Sequence, residues 1–417
     1  MQKENNKGIT LTALIITIIV MLILASVVIW QVVADDGLIR KVLSAVDKRN
    51  EAIEQESQDL ATLENKVDEY LGGGAVVPQV DSNTGLATAK FTKEFTEDLK
   101  ITIPEGFGIA ELDDSEFKRV TGVLPAEEWD AYLTQENVDD NGVVVVDASG
   151  NEFVWVPVEA GTIWWDNNGQ KVGQLWATST GENFGTKNTT YTANSGLREP
   201  DVVTDYDGNT TYLKTALGVS SDDDLKTELG LDDLSNTSAN ANAFKAILQS
   251  EFNQMTTCVD NYGGFYVGRY ETGGFNTNQC VVKAGEGNNS INNVEWYTMY
   301  NKTKTLSTVN VTSTLIWGCQ YDAMCNWLNS TSRVKQSDDT RTNNVTLNTG
   351  SISSDVDKNI YDLAGNVREW TMEAYDTDGR VVRGGGYYGA YSVSYRDNSN
   401  PYNSCDIIGG RSALFIL

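Results

Sequence analysis

The pattern of apolar and polar positions changes character three times along the chain. Residues 9–30 (ITLTALIITIIVMLILASVVIW) hold no charge, and about 22 residues at about 1.5 Å each are enough to cross a hydrocarbon core of about 30 Å. Lys3 and Lys7 precede this run and Asp35 and Asp36 follow it. The positive-inside rule therefore predicts a single-pass membrane protein, with the N-terminus in the cytoplasm and the C-terminal part extracellular. The run is longer than the apolar core of a secretory signal peptide. Across residues 31–71, Leu38, Val42, Val46, Ile53, Leu60, Leu63, Val67 and Leu71 recur mostly three, four or seven apart, the stripe of a helical stalk. Gly72, Gly73 and Gly74 end it.

Residues 72–98 read as a linker, and from residue 99 the period shortens. The runs Leu99-Lys100-Ile101-Thr102-Ile103, Val143-Val144-Val145-Val146 and Phe153-Val154-Trp155-Val156-Pro157-Val158 alternate with turn signals such as Asp140-Asn141-Gly142 and Ser149-Gly150-Asn151. About residues 166–250 lies a polar insertion with one helix candidate, beginning at Ser221 and running to Leu234. Its Asp222, Asp223 and Asp224 favour the positive end of a helix dipole and read as a solvated cap rather than a cation site. The predicted fold class is α+β: a long N-terminal transmembrane and stalk helix, then a β-rich head with few helices over residues 99–417.

Composition removes several functions. Among 417 residues, 31 Lys and Arg face 58 Asp and Glu, a formal net charge of -27, so nucleic acid is repelled and is not an expected partner. Histidine is absent, which excludes imidazole-based triads and the usual zinc sites. Cys258, Cys280, Cys319, Cys325 and Cys405 contain no CxxC pair. Cys258 with Cys280 closing a loop, or all five as buried reduced thiols, are both open readings. Cys319 and Cys325, six apart on a predicted helix, face different directions.

The stretch Lys7-Gly8-Ile9-Thr10-Leu11, with its apolar continuation, resembles the leader and N-terminal helix of type IV prepilins. The resemblance implies a leader over residues 1–8 and processing between Gly8 and Ile9. Ala13 stands where most pilins carry the glutamate that meets a neighbour's N-terminal amine in the filament core, where an unpaired charge is costly. A membrane anchor and a cleaved, pilin-like, self-assembling filament subunit both remain open.

Near the end, Asn359-Ile360-Tyr361-Asp362-Leu363-Ala364-Gly365-Asn366-Val367-Arg368-Glu369-Trp370 is followed by Arg380-Val381-Val382-Arg383-Gly384-Gly385-Gly386 and by Gly410-Arg411-Ser412-Ala413-Leu414. Three motifs in this order resemble those of the formylglycine-generating enzyme (sulfatase-modifying factor) family. Gly263 to Glu271 and Val294-Glu295-Trp296 fit it less specifically. The resemblance implies a C-type lectin-like fold with long loops, in which Arg383, Arg396 and Arg411 fork loop carbonyls or a carboxylate.

The family's catalytic cysteine pair would fall on Gly389 and about Ser394, so neither copper binding nor cysteine oxidation has a carrier, and no enzymatic activity is expected. The same resemblance implies a calcium ion held by Ala364, Gly365, Val367 and Glu369, oxygen ligands suited to a hard cation. Asp355-x-Asp357-x-Asn359 imitates an EF-hand start but lacks its glycine and its closing glutamate. Residues 387–408 are crowded with Tyr, Ser, Asn and Asp, the mix of adaptable recognition surfaces. Tyr387, Tyr388, Tyr391, Tyr395, Asp397, Asn398, Asn400, Tyr402 and Asn403 are the candidate ligand-binding residues, for an extracellular protein or glycan. Family members diversified by retroelements vary here; Lys, Glu, Gln, Met and Trp, which that process does not produce, are absent from the stretch. The expected function is a surface-displayed, non-catalytic, lectin-fold binding protein, with a filament subunit or a diversified variable protein as alternatives.

Overall fold

The computed structural model describes residues 78–158, 201–274, 281–283, 292–331, 346–375, 377–387, 393 and 395–417. All lie in the second of two units, Val77–Leu417. Gly8, Ile9, the apolar run and the stalk lie outside the described residues.

Strands β1 (Phe91–Thr96) and β2 (Leu99–Ile103) form a hairpin. A seven-stranded antiparallel sheet is built from β3 (Phe107–Leu112), β4 (Val120–Val123), β5 (Val144–Asp147), β6 (Glu152–Pro157), β7 (Gly264–Gly268), β8 (Val311–Leu315) and β15 (Ser412–Ile416). Its order is β4-β3-β5-β6-β7-β15-β8. Val144, Val145, Phe153, Val154, Trp155 and Val156 are all buried, so the continuous apolar runs of β5 and β6 mark strands covered on both faces. β9 (Val356–Asp357) and β10 (Ile360–Tyr361) make a small ladder. A four-stranded sheet follows from β11 (Arg368–Ala374), β12 (Arg380–Arg383), β13 (Arg396–Ser399) and β14 (Ile408–Gly410), ordered β13-β12-β11-β14. Only its β11–β14 pairing is parallel.

The expected fold class is overturned on two counts. Among the described residues no helix is long and apolar enough to cross a membrane, and the head is a mixed α/β domain rather than a helix-poor one. Its helices are α1 (Ala126–Tyr132), α2 (Thr210–Leu217), α3 (Asp222–Leu229), α4 (Thr237–Tyr262), α5 (Trp296–Lys304) and α6 (Gly318–Thr331). The longest, the 26-residue α4, starts inside the polar insertion. Thr and Asn depress its local helix propensity, yet Ala241, Phe244, Leu248, Phe252, Met255 and Val259 recur three or four apart and are buried on one face. Asn236 accepts the Ala239 N–H at its start, and Gly263, at φ 73°, ends it and turns the chain into β7. The acidic segment forms α3, with Ser221 as its cap and Asp222, Asp223 and Asp224 in the first turn.

Arginines join the loops to this core. Arg411 donates to the carbonyls of Gly268 (2.8 Å) and Tyr361 (2.7 Å) and to the Glu369 carboxylate (2.8 Å from Nε). Arg383 pairs with Asp322 at 2.8 Å, both fully buried, and Arg396 with Glu373 at 2.9 Å. The glycines after Arg383 serve close packing: Gly384 takes φ 81°, and a Cβ on Gly385 would stand 2.0 Å from the Ala364 carbonyl oxygen.

Candidate ligand-binding face

The C-terminal recognition stretch divides into a fixed layer and an outward layer. Tyr387 is buried, donates its N–H to the Asn366 carbonyl, and has a phenol pushed up to about 12 by burial and by its hydrogen bond to Asp406. Tyr395 donates its hydroxyl to Asp397 (3.1 Å), which also accepts from Arg368 (3.1 Å), and the Arg368 guanidinium lies 5.6 Å from the Tyr395 ring. Tyr387, Tyr395 and Asp397 are therefore engaged within the protein. Tyr388 and Tyr391 lie outside the described residues.

Asn398, Tyr402 and Asn403 are exposed and Asn400 is half-buried. Among the described residues β13 is an edge strand, with no further strand on its outer rim. Asn398 turns its N–H to the Asp397 carboxylate (2.9 Å), and the Asn403 N–H closes a turn onto the Asn400 carbonyl (2.9 Å). Pro401 accepts the N–H of Trp296, the first residue of α5 (2.9 Å), which pins the turn to the core.

The insertion supplies the other half of the face, a contribution absent from the sequence reading. Asp207 is fully buried; it accepts from Val203 N (2.7 Å), from the Tyr297 hydroxyl (2.7 Å) and from Arg380 of β12. Burial raises the Asp207 carboxyl above the usual range, against the opposing pull of Arg380. Arg380 also donates to the carbonyls of Asp201 (3.1 Å) and Met372 (2.9 Å) and lies 4.0 Å over the Trp296 ring. The staple holds Tyr206 and Tyr212 beside Tyr402. Tyr297 and Tyr212 stack at 5.0 Å with their planes 4° apart, Tyr212 and Tyr402 stack at 6.3 Å and 16°, and Tyr206 tilts against Tyr402 at 4.8 Å. Rings thus run from the buried Tyr297 out to Tyr402, which is 37% exposed. A D-Y-D tripeptide, Asp205-Tyr206-Asp207, before a helix cap was the signal in the sequence.

Of the candidate calcium residues, Glu369 is the second residue of β11 itself, and Ala364, Gly365 and Val367 sit in the turn before it. Asp362 and Asn366 there have positive φ (65° and 57°), conformations such short polar side chains tolerate. Glu369 is buried, its carboxyl raised by burial against Arg411; Oε1 accepts from Arg411, and Oε2 has no hydrogen-bond partner. Among the described residues no group of three His, Cys, Asp or Glu could hold a metal. The fit to calcium rests on that one orphaned carboxylate oxygen and the carbonyls of Ala364, Gly365 and Val367, beside a guanidinium that disfavours a cation.

Gly389 and Ser394 lie outside the described residues, as does Cys280. Cys258, Cys319, Cys325 and Cys405 are thiols; burial pushes Cys325 up to about 12 and Cys258 up to about 11, the reverse of what a reactive thiolate requires.

No family model matches the chain, and no curated protein matches it. Similar solved structures include Treponema denticola variable protein 1, at 16% identity and TM-score 0.28 over 36% of this chain and 84% of that one. They also include the structure of PvdO from Pseudomonas aeruginosa, at 15% identity and TM-score 0.28 over 37% of this chain and 81% of that one.

Proposed function

We propose that the chain is a non-catalytic binding protein of the outer bacterial surface that takes an extracellular protein or glycan on the face made by Asn398, Asn400, Tyr402 and Asn403 with Tyr206 and Tyr212. The observation that carries this reading is the layering: ion pairs and stacked rings fix the floor, while exposed Asn and Tyr groups stand above it. A rigid floor lowers the ordering entropy of binding, and Tyr and Asn supply contact area and adaptable hydrogen bonds. Glycine and serine at the family's copper positions, the absence of histidine and the charge of -27 support a role without catalysis or nucleic acid. Calcium belongs to this proposal as a structural ion, with Glu369 and the Ala364, Gly365 and Val367 carbonyls supplying hard oxygens to brace the turn under β11.

Arrays of glycans and of extracellular proteins probed with the full chain provide the test. The expected result is a ligand whose binding is lost in an Asn398→Ala/Tyr402→Ala/Asn403→Ala variant of unchanged melting temperature. Undiminished binding by that variant would refute the assignment.

A further inference from the structure

Five arginines of the head share one arrangement, a guanidinium held by both a carboxylate and an aromatic face. Arg269 joins Glu152 (2.6 Å) and the Tyr270 and Tyr361 rings (5.4 Å each). Arg380 joins Asp207 and Trp296 (4.0 Å). Arg383 joins Asp322 (2.8 Å) and Tyr321 (4.7 Å), Arg396 joins Glu373 (2.9 Å) and Tyr375 (5.4 Å), and Arg368 joins Asp397 (3.1 Å) and Tyr395 (5.6 Å). A planar guanidinium suits such sites because it stacks on a ring while its N–H fork meets the carboxylate.

The outward end of the tyrosine stack brings aromatic faces and a carboxylate into one neighbourhood, with no arginine on them among the described residues. Tyr402 is 37% exposed and is backed by Tyr212 at 6.3 Å, with Tyr206 at 4.8 Å beside it. Asp205 adjoins Tyr206, is exposed, and its N–H is fixed to the Thr377 carbonyl (3.0 Å) in the β11–β12 turn. The Asp205 side chain has no partner among the described residues. Burial, the hydrogen bond to Tyr402 and, after these, the charges of Asp378 and Asp205 hold the Tyr206 phenol above its ordinary range. Arg380, the cation beneath, is fully buried and committed to Asp207.

We propose that the Tyr402, Tyr206 and Asp205 patch receives the guanidinium of an arginine side chain presented by a protein partner. This inference rests on the reading of the C-terminal face as a ligand-binding face, and it makes the insertion the element that selects the partner's charge. The ring face supplies stacking area, and Asp205 supplies the complementary charge.

The probe is the acetylated and amidated tripeptide Gly-Arg-Gly, compared with the same peptide carrying citrulline or lysine. The full chain is labelled with 3-fluorotyrosine, and the Tyr402 resonance is assigned by its loss in Tyr402→Phe. The arginine peptide is expected to shift that resonance saturably, and Asp205→Asn to weaken it about two- to fivefold, the range for a partly exposed charge pair. Lysine is expected to bind several-fold more weakly and neutral citrulline not at all. Equal shifts by citrulline, no effect of Asp205→Asn, or no saturable shift up to about 50 mM, a level at which even millimolar binding is visible, would overturn the inference. The array experiment separates the two levels: a ligand lost in the Tyr402 variant but not displaced by the arginine peptide leaves the face standing and removes only the arginine assignment.

Discussion

The buried Asp207–Arg380 pair should respond differently to loss of each partner, because only one of the two can shed its charge. Both side chains are fully buried. Asp207→Asn keeps the shape, and the Tyr297 hydroxyl can turn to accept from the new amide. Arg380 is left charged in a dry site, which costs about 3–5 kcal/mol. Arg380→Met also loses hydrogen bonds to the Asp201 and Met372 carbonyls, at about 1 kcal/mol each. Asp207, its carboxyl already raised by burial, then takes up a proton. In that variant the folded state binds more protons than the unfolded chain. Stability therefore falls as pH rises between the unfolded aspartate value of about 3.9 and the raised folded value, by up to about 1.4 kcal/mol per pH unit. Urea unfolding followed by tryptophan fluorescence, at pH intervals rising from the unfolded aspartate value of about 3.9, is the assay. Arg380→Met is expected to recover stability on acidification relative to wild type, and Asp207→Asn not to. Equal pH profiles for the two variants, or a cost below about 1 kcal/mol for Asp207→Asn, would refute the reasoning.

Three further outcomes follow from the packing. Gly385→Ala, whose Cβ would meet the Ala364 carbonyl oxygen at 2.0 Å, should cost about 1–3 kcal/mol in urea unfolding, whereas Gly150→Ala, with nothing near its Cβ site, should lose only what its positive φ of 75° imposes. A colorimetric disulfide reagent at neutral pH should label Cys405 well before Cys325, whose buried thiol stands at about 12; equal rates would contradict the described burial. Calcium at millimolar concentration should raise the melting temperature and magnesium should not, with the weak affinity expected for one shared carboxylate; an unchanged melting temperature at about 10 mM calcium would remove the ion from the proposal.

The parts legible in the sequence are those written in local chemistry. Leu99 to Ile103 and Phe153 to Pro157 fall in β2 and β6, Trp296 starts α5, and Arg383, Arg396 and Arg411 hold the carboxylates and carbonyls their fork geometry suits. α4 was hidden because its Asn, Thr and Ser content resembles a loop, although Phe244, Leu248, Phe252, Met255 and Val259 already spelled its buried face. Composition alone placed Tyr395 and Asp397 on the recognition surface, but their engagement with Arg368 depends on β13 pairing with β12. The pairing of Asp207 with Arg380, 173 residues apart, and with it the tyrosine stack, has no local signature.

The place of β15 bears on when the main sheet can close. It is inserted between β7 and β8, whose residues precede their partners by roughly 150 and 100 positions respectively, and such long-range pairing is slow. Until residues 412–416 have left the ribosome, the strand beside the sheet's β8 edge is missing: β8 has no partner in the sheet and β7 is paired on its β6 side alone. The order in which its strands are made therefore leaves the main sheet open at one side until the last strand is made, so β7 and β8 are joined late whatever folds before them.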